Sequence, residues 1–335
     1  MSRLTFPTTA LLALTAAALA GAARGPALGQ DNVTFGTNWK AEAEHGGYYQ
    51  AVAAGIYRKY GLNVTIRQGG PAVNHSQLLA AGRLDFNMGN NCFSALNFVK
   101  ENIPMVAVGT TFQKDPAILM AHPNTGAEKL ADLKGRPAYI GAATRTGWWL
   151  WLTGTYGFSD DQIRPYQFNL APWLADKRAI VQGFVTSEPF SAEKAGVLPV
   201  VHLMADNGYD SYNETIETSW KLVNEKPDLV QRFVDASIEG WYGYLYGDPA
   251  PANALIKKDN PEMTDDLIAF GIKAMKAYGI VDSGDAKTLG IGAMSDARWQ
   301  RFFEFAVKAR VYDAALDYRK AYTLKFVNRK HGMPK

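Results

Sequence analysis

The chain has a single cysteine, Cys92, in 335 residues. One thiol closes no internal disulfide and builds no cysteine-based zinc site. The formal net charge is only +3 and no run of Lys or Arg occurs, so a nucleic-acid partner is not expected. Five histidines are present without H-E-x-x-H or H-x-x-x-H spacing, which leaves a helical metal site unsupported. No apolar run reaches the ~18–20 residues of a membrane span. No internal repeat, low-complexity tract or Pro/Ser linker divides the chain after its first thirty residues. Ser191-Ala192-Glu193-Lys194 has the S-x-x-K spacing of penicillin-interacting enzymes, but neither an S-D-N nor a K-T-G partner accompanies it.

What is present suits a packed, exported protein. Hydrophobic content of 47% and aromatic content of 12% are ample for cores. The length allows one large or two medium domains. Arg3, the apolar stretch 11–23 and the small residues before Gln30 predict a signal peptide over 1–30. Ala27-Leu28-Gly29 is a plausible cleavage site and Ala18-Leu19-Ala20 its rival; a retained anchor is the alternative reading. No cysteine stands directly after this segment, so a lipoprotein is not expected. Cys92 reads better as a buried small hydrophobe than as a nucleophile.

Strand and helix patterns then alternate. Strands are expected at 33–39, 63–67, 85–88 and 105–110, with helices at 48–60, 76–81 and 92–101 between them. A second run opens at 118–121, with a helical turn at 130–135 and a strand at 137–141. A Trp-rich helix at 146–156 follows, then strands at 183–186 and 200–204. Ser159 and Gln162 have capping-box spacing. One more strand is expected at 218–223, followed by helices at 228–246, 249–258, 265–278 and 296–311. This order predicts α/β lobes with mainly parallel sheets flanked by helices, and a helical C-terminal tail.

Several of these segments resemble the periplasmic solute-binding proteins of ABC importers, closest to the branch for sulfonates, nitrate and thiamine-precursor pyrimidines. The resemblance rests on Asn38-Trp39, Glu44-His45-Gly46-Gly47-Tyr48-Tyr49 and Tyr57-Arg58-Lys59-Tyr60-Gly61-Leu62. It continues through Ala80-Ala81-Gly82-Arg83-Leu84-Asp85-Phe86, Leu130-Ala131-Asp132-Leu133-Lys134-Gly135-Arg136 and Thr186-Ser187-Glu188-Pro189-Phe190. It implies the two-lobed type II periplasmic binding protein fold, closing on a ligand like a clamshell. The lobes are expected over 31–114 with 216–335, and over 115–215. The crossings are placed near 112–117 and 204–215.

The same resemblance implies a set of ligand-binding residues, each with a plainer alternative. Trp39 would stack on a heterocycle, or be a core Trp at a strand end. Glu44 and His45 would hydrogen-bond ring nitrogens or amino groups, or cap the helix. Gly46 would let a ligand approach the helix N-terminus, or only permit a turn. Asn90 and Asn91 sit after a strand and before a helix, the usual cleft position in open α/β sheets; the alternative for one of them is a helix cap. Thr144, Arg145 and Thr146 take the matching place in the second lobe, with Arg145 meeting an anion or facing water. Of Trp148, Trp149 and Trp151, at most two share a helix face, and Trp148 is the choice for the cleft. Glu188 would accept hydrogen bonds from an aminopyrimidine, or sit in a salt bridge.

The implied function is capture of a small solute in the periplasm for a membrane permease, with no catalysis, cofactor or metal, by a monomer. A formylaminopyrimidine-like thiamine precursor is the leading ligand. A sulfonate, taurine or nitrate is the runner-up. The rival of another class is a thiamine pyrimidine synthase-like enzyme that consumes its own histidine. Those enzymes carry a Cys-rich motif, which a chain with one cysteine lacks.

Overall fold

A computed structural model describes residues 30–334, except 71, 72, 146 and 168. The expected signal segment therefore lies outside the described residues apart from Gln30. Among the described residues, ten strands form two five-stranded sheets. The first holds β1 (Asp31–Gly36), β2 (Leu62–Arg67), β3 (Phe86–Asn91), β4 (Met105–Phe112) and β10 (Asn213–Ser219) in the order β2-β1-β3-β10-β4. The second holds β5 (Ala117–Ala121), β6 (Ala138–Ile140), β7 (Ile163–Pro165), β8 (Ile180–Phe184) and β9 (Val200–Leu203) in the order β7-β6-β8-β5-β9.

The two sheets are built alike. β1 runs parallel to β2 and β3, and β6 runs parallel to β7 and β8. The exceptions are β10 and β5, each antiparallel to both of its neighbours. Each of these is the strand by which the chain arrives from the other sheet. Ala117 opens β5 opposite Phe184 at the end of β8, so the incoming strand starts at the edge where the parallel strands finish. That shared edge is the inner edge of both lobes, where open α/β sheets place their ligands.

The C-terminal part returns to the first sheet. Thr110 N donates to Gly292 O, and Thr323 N donates to Ala107 O, which covers β4 as an edge strand. The helix Pro227–Tyr246 packs on the helix Gly46–Ala53. Beneath it, Phe86 and Phe233 stack with centroids 4.0 Å apart, and Tyr57 stacks on Phe233 at 5.4 Å. Such pairs add about 0.5–1.5 kcal/mol each beyond burial.

Three expectations are corrected. The helix expected over 48–60 is two helices, Gly46–Ala53 and Ile56–Lys59, because Gly55 takes φ +67 and breaks the ladder. The strand expected over 218–223 is the end of β10 followed by a helix, Trp220–Glu225; the Ser219 side chain caps Leu222 N and so starts that helix. The Trp-rich helix runs Trp148–Tyr156, preceded by a separate turn of helix, Ala142–Arg145. The capping box at Ser159 and Gln162 is present in both directions.

Candidate functional site

A cleft of about 620 Å³ opens between the two sheets. Trp39, Lys40, Glu42 and Glu44 line it from the first lobe. Tyr166, Thr186, Ser187 and Glu188 line it from the second. Asn260, Glu262, Met263 and Leu267, from the C-terminal part, close one side.

Trp39 follows β1 in a short loop whose backbone is fixed. Its carbonyl accepts from Thr37 Oγ1 at 2.8 Å and from Gly69 N at 3.0 Å. The half-buried ring faces the cleft from that fixed loop.

Glu44 sits in the turn Ala43–His45 that leads into the helix Gly46–Ala53 and is 1% exposed. Its Oε1 accepts a hydrogen bond from Thr186 Oγ1, across the cleft. Burial pushes the carboxyl up to about 7, against the lowering effect of the Thr186 bond. Glu42 is also raised, by burial and by the carboxylates of Glu44, Glu214 and Glu188.

Glu188 opens the helix Glu188–Lys194. Its Oε2 accepts from Phe184 N at 2.7 Å and Ser187 Oγ at 2.6 Å, and its Oε1 accepts from Tyr166 OH at 3.4 Å. Its recorded partners are therefore neutral donors and not the cation of a salt bridge. Burial raises its pKa while these bonds pull the other way. The cationic side chain among the described lining residues is Lys40, and it pairs with Glu262 at 2.8 Å on the rim. The field in the cleft is thus that of carboxyl groups.

The other residues named from the sequence lie elsewhere. His45 is fully buried behind Glu44, with Nε2 3.0 Å from Asn38 Oδ1. Burial lowers its pKa to about 3, so the 3.5 Å approach of Nε2 to Glu42 is not an ion pair at neutral pH. Gly46 serves packing: a Cβ there would stand 1.9 Å from the Tyr244 ring. Asn91 caps the helix Cys92–Lys100 by accepting from Phe93 N at 3.1 Å. Asn90 is exposed, and its N–H donates to Ser94 Oγ. Thr144 and Arg145 belong to the separate turn of helix before Trp148 and do not line the cleft. Arg145 is 51% exposed and pairs with Asp160 at 3.2 Å. Trp148, Trp149 and Trp151 are all buried in the core, because the first half of this helix, 148–152, is apolar all round. Thr146 lies outside the described residues.

Glu42, Tyr166, Thr186 and Asn260 were missed from the sequence as cleft residues. Thr186 had a signal, standing two residues before Glu188 at a strand end. Tyr166 follows β7, a strand too short to read from periodicity. Asn260 arrives from a distant helix end and is held by Nδ2 donating to Ala41 O at 2.8 Å.

The NMT1/THI5-like family matches residues 42–252, well over half of the chain and spanning both crossings. The chain belongs to that family. This agrees with the resemblance carried by the motifs between Asn38 and Phe190. The chain is 25% identical over 329 residues to the riboflavin-binding protein RibY of Chloroflexus aurantiacus, covering 96% of this chain and 92% of the relative. The periplasmic aliphatic sulphonate binding protein SsuA from Escherichia coli shares its fold, with a TM-score of 0.64 at 13% identity over 87% of this chain and 91% of that one. So does the desulfurization enzyme DSZB, with a TM-score of 0.56 at 13% identity over 89% and 97% of the two chains. The architecture is therefore the periplasmic binding protein fold, which is also found in an enzyme. Among the described residues, no helix is long and apolar enough to cross a membrane.

Proposed function

We propose that this member of the NMT1/THI5-like family is the substrate-binding component of an ABC importer, capturing in the periplasm a thiamine-precursor pyrimidine of the formylaminopyrimidine type. The observation that carries the reading is one juxtaposition. The Trp39 ring and the carboxyls of Glu44 and Glu188 face the same cleft, whose lysine is already paired. A flat ring stacks on Trp39 while its amino groups donate to carboxylates, which are strong acceptors. A sulfonate, taurine or nitrate would be buried among carboxylates, which is unfavourable, and Arg145 is not there to receive it. The lobes in this reading are 31–114 with 216–335, and 115–215. They belong to a monomer that follows a signal at 1–30 and presents its closed form to a permease.

A second reading is a flavin, the ligand named for RibY. It is favoured by the size of the cleft and by its apolar side, formed by Leu170, Leu174, Met263 and Leu267. About 620 Å³ is more than a single ring fills. The suicide-enzyme reading needs a histidine beside the ligand, and none of the five histidines lines the cleft. Cys92 is buried with its thiol pushed up to about 12, which does not suit a nucleophile.

The test is calorimetric titration of residues 31–335 with formylaminopyrimidine, riboflavin, taurine and nitrate. Saturable binding of the pyrimidine near micromolar Kd supports the first reading. Binding of riboflavin alone moves the function to the second. Heat from taurine or nitrate alone overturns both.

A further inference from the structure

The chain crosses between the lobes along 113–116 and back along 204–212, and the C-terminal segment grips both passages. Gln113 has its polar groups bound by that segment. Its N–H donates to Ile280 O at 2.7 Å and its Nε2 to Ala293 O at 2.8 Å. Its Oε1 accepts from Asp285 N at 3.1 Å and its carbonyl from Arg298 Nη2 at 2.5 Å. On the return passage, the Tyr212 hydroxyl donates to the Asp285 carboxylate and accepts from Ser295 N at 2.9 Å.

Arg298 belongs to both sets. Its Nη2 also donates to Ser211 O at 3.2 Å, and its guanidinium lies 4.2 Å from the Tyr212 ring centre. Its Nε is 2.8 Å from Asp210 Oδ1, at ion-pair distance although the N–H is not aimed at that oxygen. The residue is 7% exposed, so these contacts are made away from water. Its helix, Asp296–Lys308, is fixed to the first lobe: Trp299 stacks on Tyr322 at 4.8 Å, and Tyr322 bridges to Ala107 in β4. A guanidinium is planar, always charged and rich in donors, which suits it to hold two carbonyls in one geometry.

We propose that Arg298 is the positioning residue for lobe closure, tying the two inter-lobe passages together at Gln113 and Ser211 and so setting how far the cleft opens. Bending is then confined to the second-lobe side of these points, along 114–117 and 204–210. There the passages are linked by the part-exposed Lys114–Asp206 pair at 2.6 Å and, where the second sheet begins, by Met204 N donating to Ala117 O at 2.9 Å. This assignment needs no ligand and stands whether or not the proposed ligand is right.

The test is a pulsed electron-spin distance measurement on the full chain, with labels at Lys59→Cys in the first lobe and Lys177→Cys in the second. Cys92 is buried and stays unlabelled. Arg298→Met is expected to broaden the inter-label distribution and move it to longer distance. Arg298→Lys, which keeps the charge but not the planar fork, should fall between Met and the parent. A purely structural role would lower the melting temperature without moving the distances. If Arg298→Met does not fold, Arg298→Lys carries the test. A distribution unchanged from the parent in the folded variant overturns the proposal.

Discussion

Thr186 of the second lobe donates its hydroxyl hydrogen bond to the Glu44 carboxyl of the first, across the cleft. Both ends of this bond line the cleft that the Trp39 ring and Glu188 also line. The bond therefore joins the two sides of the cleft directly. A hydrogen bond of this kind is worth about 0.5–1.5 kcal/mol net, and more when its acceptor is ionised. Thr186→Val should weaken ligand binding roughly tenfold or more while leaving the fold intact, and Thr186→Ser should restore it. Calorimetric affinities of the three proteins check this; equal affinity of Val and Thr would remove the latch.

Trp39→Ala should lose most of the binding to a ring ligand, since stacking adds about 0.5–1.5 kcal/mol beyond the area buried. Glu188→Gln should weaken an aminopyrimidine far more than an anion, because the change removes an acceptor charge. Titrating each variant with both ligand classes separates the readings. An anion that binds Glu188→Gln better than the parent, with the pyrimidine unaffected, would argue for the sulfonate class.

Stability should depend on pH through carboxyls buried without a cation. Burial pushes Glu217 up from 4.5 to about 7, against hydrogen bonds from Asn87 and Thr215. A folded-state pKa above the unfolded one means stability fully present below about 4.5 and lost as pH rises through about 7. The loss is on the order of 3 kcal/mol for one such group. Glu44 titrates in the same window. Urea midpoints of the parent should therefore fall between pH 5 and pH 8. Glu217→Gln should show a shallower fall; identical slopes would show that Glu217 does not titrate there.

Gly46→Ala should destabilise the first lobe without touching the ligand. The added methyl would meet the Tyr244 ring at 1.9 Å, and Gly240 already faces Gly47 O across the same helix contact. Overpacking of this kind costs about 1–3 kcal/mol. Thermal melting reads it directly, and an unchanged midpoint would mean that the helix Pro227–Tyr246 can move aside.

The alternation of strands and helices, the α/β class and most helix ends were legible because they follow from local rules. Ser159 and Gln162 make their box within four residues, and Pro227 starts a helix. Trp39 and Glu188 could be named for the cleft through the family resemblance, and both follow strands that end at that edge. Gly55 shows the limit of periodicity, since an apolar stripe continues through a left-handed residue that the backbone does not.

Composition and local order are carried by the residues alone: one thiol, no metal spacing, parallel α/β units and a family motif order. Tertiary structure decided which polar groups meet. Glu44 and Thr186 are 142 residues apart in the chain, and Gln113 and Arg298 are 185 apart. Nothing local links them, because a hydrogen bond depends on position in space within a few tenths of an ångström. Burial settled the rest. It turned Trp148 and Gly46 into packing residues and left Arg145 in water, through the way whole helices pack against the sheets.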